Sequence, residues 1–197
     1  MITLYHAPRS RSSRFLWLLE ELGATYEVKK VEIRRGDGSG TRDPANPHPH
    51  GKVPAVVHDG TLIFESAAIC TYLADLFPDK GLAPAIGEPA RGPYLSLLAY
   101  YAGVLEPAFV SQFLQVEVPR GTAGWVAAGE AMDYLRGRLA DQPYIAGQRF
   151  SAADTLYAGT FALFLGGPML PETPELAAYV KRCTERPAFA RAQEKDG

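Results

Sequence analysis

The sequence predicts an α/β domain followed by an all-α domain, and three observations carry the prediction. Up to Phe77, short alternating apolar runs interleave with helical periodicities. Between Pro78 and Pro89 the composition turns to Gly81, Pro84 and Gly87, which suits a linker. From Ala90 onward only helical periodicity is found.

In order, Ile2 to His6 reads as a short strand, followed by the polar turn Ala7 to Ser12. A helix with apolar Phe15, Leu16, Leu18, Leu19 and Leu22 comes next and is stopped by Gly23. Tyr26 to Ile33 alternates as a second strand, and Arg34 to Gly51 is an irregular loop. Val53 to Val57 and Thr61 to Phe64 are strands joined through His58-Asp59-Gly60, a hairpin turn. Glu65 to Phe77 is a helix with apolar Ala68, Ile69, Tyr72, Leu73 and Leu76, ended by Pro78. A parallel β-α-β crossover followed by an antiparallel β-β-α hairpin makes a four-stranded mixed sheet. That order is thioredoxin-like. The expected division is a first domain over 1–78, a linker over 79–89 and an all-helical domain over 90–197.

In the second domain, helices are expected over Arg91 to Leu114, Ala123 to Leu139, Ala152 to Leu165, Pro174 to Thr184 and Pro187 to Gln193. Pro107 should kink the first of them. Ser151-Ala152-Ala153-Asp154 reads as a capping box with Asp in place of Glu.

With 197 residues, 47% hydrophobic and 21% charged, the chain has the composition of an ordinary globular protein. A net charge of −2 leaves no basic footprint for nucleic acid, and the cluster Lys29, Lys30, Arg34, Arg35 is offset by Glu27, Glu32 and Asp37. No apolar run approaches the roughly 20 residues that span a bilayer, and the N-terminus lacks the pattern of a signal peptide. Cys70 and Cys183 are far apart and form no C-x-x-C pair, so they read as small buried hydrophobes in a reducing compartment. A cytoplasmic protein that engages neither membrane nor nucleic acid is expected.

Gly51-Lys52-Val53-Pro54-Ala55 and, one hairpin later, Glu65-Ser66 at a helix start are the most informative segments. A proline leading a strand lacks the donor a ladder needs, which suggests a special backbone geometry there, including a cis peptide. An exposed strand edge near a helix N-terminus suits a small zwitterion of peptide-like character.

With Ser10-Arg11-Ser12-Ser13-Arg14 running into Trp17-Leu18-Leu19-Glu20-Glu21-Leu22-Gly23, these segments form a set. Phe64 to Ile69 with Tyr72-Leu73, and Ile145-Ala146-Gly147 with Phe150 to Asp154, complete it. In this order and spacing the chain resembles a soluble glutathione transferase of the serine type, bacterial-like in character. The resemblance implies that Ser66 takes the γ-glutamyl carboxylate of glutathione at a helix N-terminus, while Glu65 meets its ammonium. Capping of the helix by the same pair is the bland alternative. Val53, before Pro54, would pair its main chain with the cysteinyl residue, and Lys52 would lie near the glycyl carboxylate. Upstream the sequence reads His48-Pro49-His50-Gly51 where many relatives have Asn-Pro, which opens the glycyl end to a histidine contact or leaves the histidines on the surface.

Moving the glutathione thiol from ~8.5 to ~6.5 requires about 2.7 kcal/mol of preference for the thiolate. One hydroxyl donating to the sulfur supplies roughly 1.5–3 kcal/mol of it. The resemblance places the catalytic serine at Ser10, with Ser12 the alternative donor or a helix N-cap, Tyr5 a tyrosine-type candidate, and Arg11 a possible helper. It further implies a homodimer, no metal, and a small hydrophobic electrophile as second substrate in a detoxification role. Tyr101, Leu105 and Phe109 would line the electrophile pocket, or else be ordinary core. Rival readings are another glutathione-dependent enzyme on this fold (peroxidase, isomerase, dehalogenase or disulfide reductase) and a non-catalytic ligand-binding member.

Overall fold

A computed structural model describes residues 1–197. The first strand, β1 (Ile2–His6), buries alternate residues Ile2, Leu4 and His6. Helix α1 (Ser13–Leu22) follows and ends at Gly23, whose φ of 60° supplies the left-handed turn at the C-cap. Strand β2 (Tyr26–Lys30) pairs parallel with β1, from Ile2 opposite Tyr26 to His6 opposite Lys30. It ends before the expected Ile33 because its partner ends there; one last bond, Val31 N–H to the His6 carbonyl at 2.9 Å, closes the ladder.

Strands β3 (Ala55–His58) and β4 (Thr61–Phe64) form the antiparallel hairpin, giving the order β2-β1-β3-β4 in a mixed four-stranded sheet. β3 begins at Ala55, two residues later than expected, since Pro54 has no N–H to give. Helix α2 (Ser66–Leu76) and a short 3-10 turn (Pro78–Lys80) complete the thioredoxin-like part.

The helical part holds α3 (Arg91–Tyr100), α4 (Glu106–Phe113), α5 (Ala128–Asp141), α6 (Ala152–Phe164) and α7 (Pro174–Thr184). The single helix expected over 91–114 is two, joined by a π-helical turn at Tyr101–Leu105. Pro107 sits in the first turn of α4. It cannot donate to the carbonyl of Gly103, and the widened turn ahead of it absorbs the defect. Helix α5 starts at Ala128 rather than Ala123. Cys70 and Cys183 are buried, as their expected role as small hydrophobes requires.

Residues 1–80 together with 186–197 form one compact unit, and 81–185 form the other. The last helix, α8 (Pro187–Asp196), expected among the second domain's helices, packs on α1 in the first unit. Phe189 meets the Trp17 ring edge-on at 4.9 Å, and Arg186 grips both carboxylate oxygens of Glu21 at 2.7 Å each. Beside it, Glu20 accepts hydrogen bonds from Arg191 at 2.8 Å, from the Tyr26 hydroxyl at 2.7 Å and from Lys195.

Burial alone would raise the Glu20 carboxyl, but the bonds from Lys195, Tyr26 and Arg191 pull it down to about 2 from 4.5. A depressed carboxyl stabilises the fold above its unfolded pKa and loses that contribution as pH falls toward the folded one. Docking of α8 is therefore expected to weaken between about pH 4.5 and pH 2. Allowing for solvent around the lysine and arginine, the loss is about 1–2 kcal/mol. Amide exchange along α8 checks this: Glu20→Gln should lower the protection factors at neutral pH to those that the native chain shows only in acid.

Candidate active site

Strand directions set the site. β1 and β2 end, β3 begins and β4 ends at the same edge of the sheet, because β1 is parallel to β2 and antiparallel to β3. Three segments therefore leave the sheet side by side: the turn from Ala7 to Ser12, the Val53-Pro54 step before Ala55, and Glu65-Ser66 after Phe64. Register makes them neighbours, with Tyr5 opposite Ala55 and Ala55 opposite Phe64. Ala7, Val31 and Val53 pack together beneath them, with Tyr5 and Ile33 against the cluster.

The Val53-Pro54 peptide is cis. No hydrogen bond of the fold engages the Val53 N–H or C=O, so both remain available for pairing with a ligand backbone. Glu65 precedes α2 with φ 70° and ψ 125°, a conformation that costs a non-glycine residue of order 1–3 kcal/mol. Its side chain does not cap the helix, nor does any other. The amides of Ser66, Ala67 and Ala68 are thus open donors at the positive end of a helix. Capping, the bland reading of Glu65-Ser66, is not what the pair does.

The glycyl-end loop is built by Asn46, which the sequence reading passed over. Its Nδ2 donates to the Lys52 carbonyl at 3.0 Å, and its Oδ1 accepts the His48 N–H at 3.0 Å. Asn46 precedes Pro47, so an Asn-Pro step is present, displaced two residues from the place inspected. His48 is buried, edge-on to Phe64 at 5.3 Å, and accepts the His50 N–H at Nδ1. Burial holds its ring below the usual imidazole range, although Glu65 raises it. It is a structural residue of the loop; His50 and Lys52 are the exposed ones. Gly51, at φ 61°, lies where glycine is favoured, and a Cβ there would come within 2.6 Å of the Arg42 side chain and displace it.

In the serine turn, Ser10 is half-buried and Ser12 fully buried. Ser10 Oγ donates to the Ala7 carbonyl at 2.7 Å and lies 2.8 Å from Ser12 Oγ. Ser12 does not cap α1: at φ −71°, ψ −18° it is already helical, so its side chain turns back to the strand end. There Oγ accepts the Ala7 N–H at 3.1 Å and lies 2.8 Å from His6 Nδ1. Tyr5, within β1, carries the Lys29 ammonium 5.7 Å from its ring centroid and packs against the cluster of Ala7, Val31 and Val53. Ser10 is thus the outer hydroxyl and Ser12 the inner one. His6 could have been found from sequence: with Ile2 and Leu4 it falls on the buried face of β1, where a polar residue requires explanation.

Tyr101, Leu105 and Phe109 are all buried in the helical unit. The Tyr101 hydroxyl lies 2.7 Å from the Thr160 hydroxyl and donates to Glu106 at 2.9 Å, its ring edge-on to Tyr157. Phe109 meets Phe164 at 6.1 Å. A cavity of about 490 Å³ in this unit is lined by other residues, among them Ala108, Gln112, Val116 and Trp125.

Two family models match the chain, one in each half. Residues 1–75 match the family model "Glutathione S-transferase, N-terminal domain" and residues 126–187 match "Glutathione S-transferase, C-terminal domain". A sphingomonad glutathione S-transferase solved in complex with glutathione is 33% identical, with a TM-score of 0.78 over 99% of this chain and 98% of that one. A glutathione transferase from Methylococcus capsulatus is 28% identical, with a TM-score of 0.80 over 100% and 99%. The glutathione S-transferase GstA of Escherichia coli O157:H7 is 29% identical over 98% of each chain. With both halves matched in order and a relative one-third identical along nearly its whole length, the chain belongs to the glutathione S-transferase family.

Proposed function

We propose that the protein binds glutathione at this sheet edge and activates its thiol for attack on a small hydrophobic electrophile, with Ser10 as the donor to sulfur. The uncapped start of α2, held open by Glu65 in a strained backbone, is the observation that carries the reading. It presents free amides and the Ser66 side chain to one carboxylate, and the Glu65 carboxylate to a neighbouring ammonium, the pair of charges on the γ-glutamyl end. Val53 offers the strand pairing and Lys52 a cation near the glycyl end. Family membership and the glutathione complex of the sphingomonad relative support the ligand. The reading carries with it a cytoplasmic homodimer serving detoxification. The exposed Val110, Phe113, Leu114 and Val116 of the helical unit offer apolar surface to a second subunit or substrate.

An ultraviolet titration of the glutathione complex tests the function: thiolate absorbance should appear well below the free thiol's pKa of about 8.5. Absence of thiolate at neutral pH would refute it. Glu65→Gly adds a test of the site. Relief of the positive φ should stabilise the thioredoxin-like unit by about 1 kcal/mol, while loss of the carboxylate weakens glutathione binding by about tenfold or more. Thermal unfolding and a binding isotherm on the same variant read both signs.

A further inference from the structure

The buried end of the serine turn holds two groups that simple hydrogen-bond donation by Ser10 does not use. His6, the last residue of β1, is fully buried, with Nδ1 2.8 Å from Ser12 Oγ. On the ring's other side, Nε2 lies 3.4 Å from a carboxylate oxygen of Asp196 and 3.5 Å from the Asp196 backbone carbonyl. Ser12 Oγ is 2.8 Å from Ser10 Oγ. An unbroken chain therefore runs from Asp196 on α8 through His6 and Ser12 to Ser10 Oγ.

One tautomer satisfies this geometry. Both groups facing Nε2 are acceptors, so Nε2 carries the hydrogen, and Nδ1 is a lone pair that takes the Ser12 hydroxyl. Ser12 Oγ still has room for the Ala7 N–H and for the hydroxyl of Ser10, whose hydrogen rotates to it from the Ala7 carbonyl, 2.7 Å away, when the relay operates. Asp196 is held in place by the Ser13 hydroxyl on Oδ1 and by the Arg9 N–H on Oδ2 at 3.1 Å. The charged groups facing His6 are Asp196 from α8 and Lys30 from β2, and the turn brings it the Ser12 hydroxyl. Burial holds the ring below the usual imidazole range, with Asp196 working against it and Lys30 with it. The ring is accordingly neutral and open at Nδ1 before glutathione arrives, as a base has to be.

We propose that His6 receives the glutathione thiol proton through Ser10 and Ser12, with Asp196 fixing its tautomer and pairing with the imidazolium that forms. This rests on the reading of the site given above. In the step, the S–H bond breaks and its electron pair stays on sulfur as the proton passes to Ser10 Oγ. The original Ser10 hydroxyl proton moves to Ser12 Oγ, and that of Ser12 moves to Nδ1. The products are a thiolate, two neutral serines and an imidazolium, with no proton released and no further reactant. Every hydrogen bond in the chain is then reversed: Nδ1–H donates to Ser12, Ser12 to Ser10, and Ser10 to the thiolate. The anion so formed favours the cation on His6, offsetting the effect of burial. Relay and thiolate donor are thus the same hydroxyl, and the proton on His6 returns to solvent when product leaves.

Counting protons tests the relay directly. Calorimetric binding of glutathione at pH 7, in two buffers of different ionisation enthalpy, is read beside thiolate absorbance. The native protein should form thiolate with close to no proton released, and the His6 nitrogen shifts should move to those of imidazolium. His6→Gln should release about one proton per thiolate and titrate about one pH unit more alkaline. Asp196→Asn, at a side chain 13% exposed where that of His6 is fully buried, should move both readouts the same way by less, and serves if the His6 substitution does not fold. One proton released per thiolate by the native protein, with neutral imidazole shifts, overturns the relay and leaves Ser10 a plain donor. Glutathione bound with no thiolate at all overturns the transferase reading and the relay with it.

Discussion

Ser10→Ala is expected to lower kcat/KM for conjugation of glutathione to an aryl halide by roughly ten- to 150-fold, with glutathione affinity little changed. A hydrogen bond to a charged acceptor contributes about 1.5–3 kcal/mol, and here it is made in full only once sulfur is anionic, so its loss falls on the thiolate rather than on binding. The fold should barely respond. Ser10 is half-buried, so water reaches the place its hydroxyl leaves. Ser12→Ala differs in kind: it strips the buried Ala7 N–H and His6 Nδ1 of their common partner. That costs about 1–3 kcal/mol of stability in addition to activity. Steady-state kinetics with thermal unfolding on both variants separates the roles. A Ser10→Ala protein with native kcat/KM, beside an inactive but stable Ser12→Ala protein, would transfer the donor's role to Ser12.

The difference between the two serines marks where sequence reasoning stops. Alternation and periodicity located all four strands and the segments that meet at the end of the sheet, because a half-buried strand or helix writes its face into consecutive residues. Val53-Pro54 and Glu65-Ser66 were legible for the same reason, since each is a local departure from pattern at a strand or helix end. The inner face of the site was not. Asp196 lies 190 residues from His6, and nothing near it in sequence foretells that α8 returns to the serine turn. Ser12 looked like an N-cap because the type and place were right, and only the backbone angles show that it has joined the helix. Tyr101, Leu105 and Phe109 illustrate the converse: a clean four-residue spacing says that a face exists, not whether it meets core or ligand.

The largest loss of stability is expected at Asp154, in the helical unit, where one carboxylate joins three segments. It is fully buried. Oδ1 accepts the Ile145 N–H at 2.8 Å and the Tyr179 hydroxyl at 2.9 Å, tying the loop before α6 to α7. Oδ2 accepts the Ser151 N–H at 2.8 Å and the Ser151 hydroxyl at 2.9 Å, which closes the expected capping box from the Asp side. Burial pushes this carboxyl up, and the four donated bonds oppose it. Asp154→Ala would leave two buried backbone donors and a buried phenol without partners, a loss of about 3–5 kcal/mol. That is a large share of the roughly 5–15 kcal/mol that holds a typical domain. Asp154→Asn should rescue only part of it, because one of its two oxygens becomes an NH2 facing donors. Ser151→Ala, which keeps the carboxylate and its other bonds, should cost only about 1 kcal/mol. Denaturant unfolding followed by circular dichroism should rank the three in that order. If Asp154→Ala unfolds within about 1 kcal/mol of the native protein, water must be reaching these donors, and the carboxylate is not what holds α6 to α7.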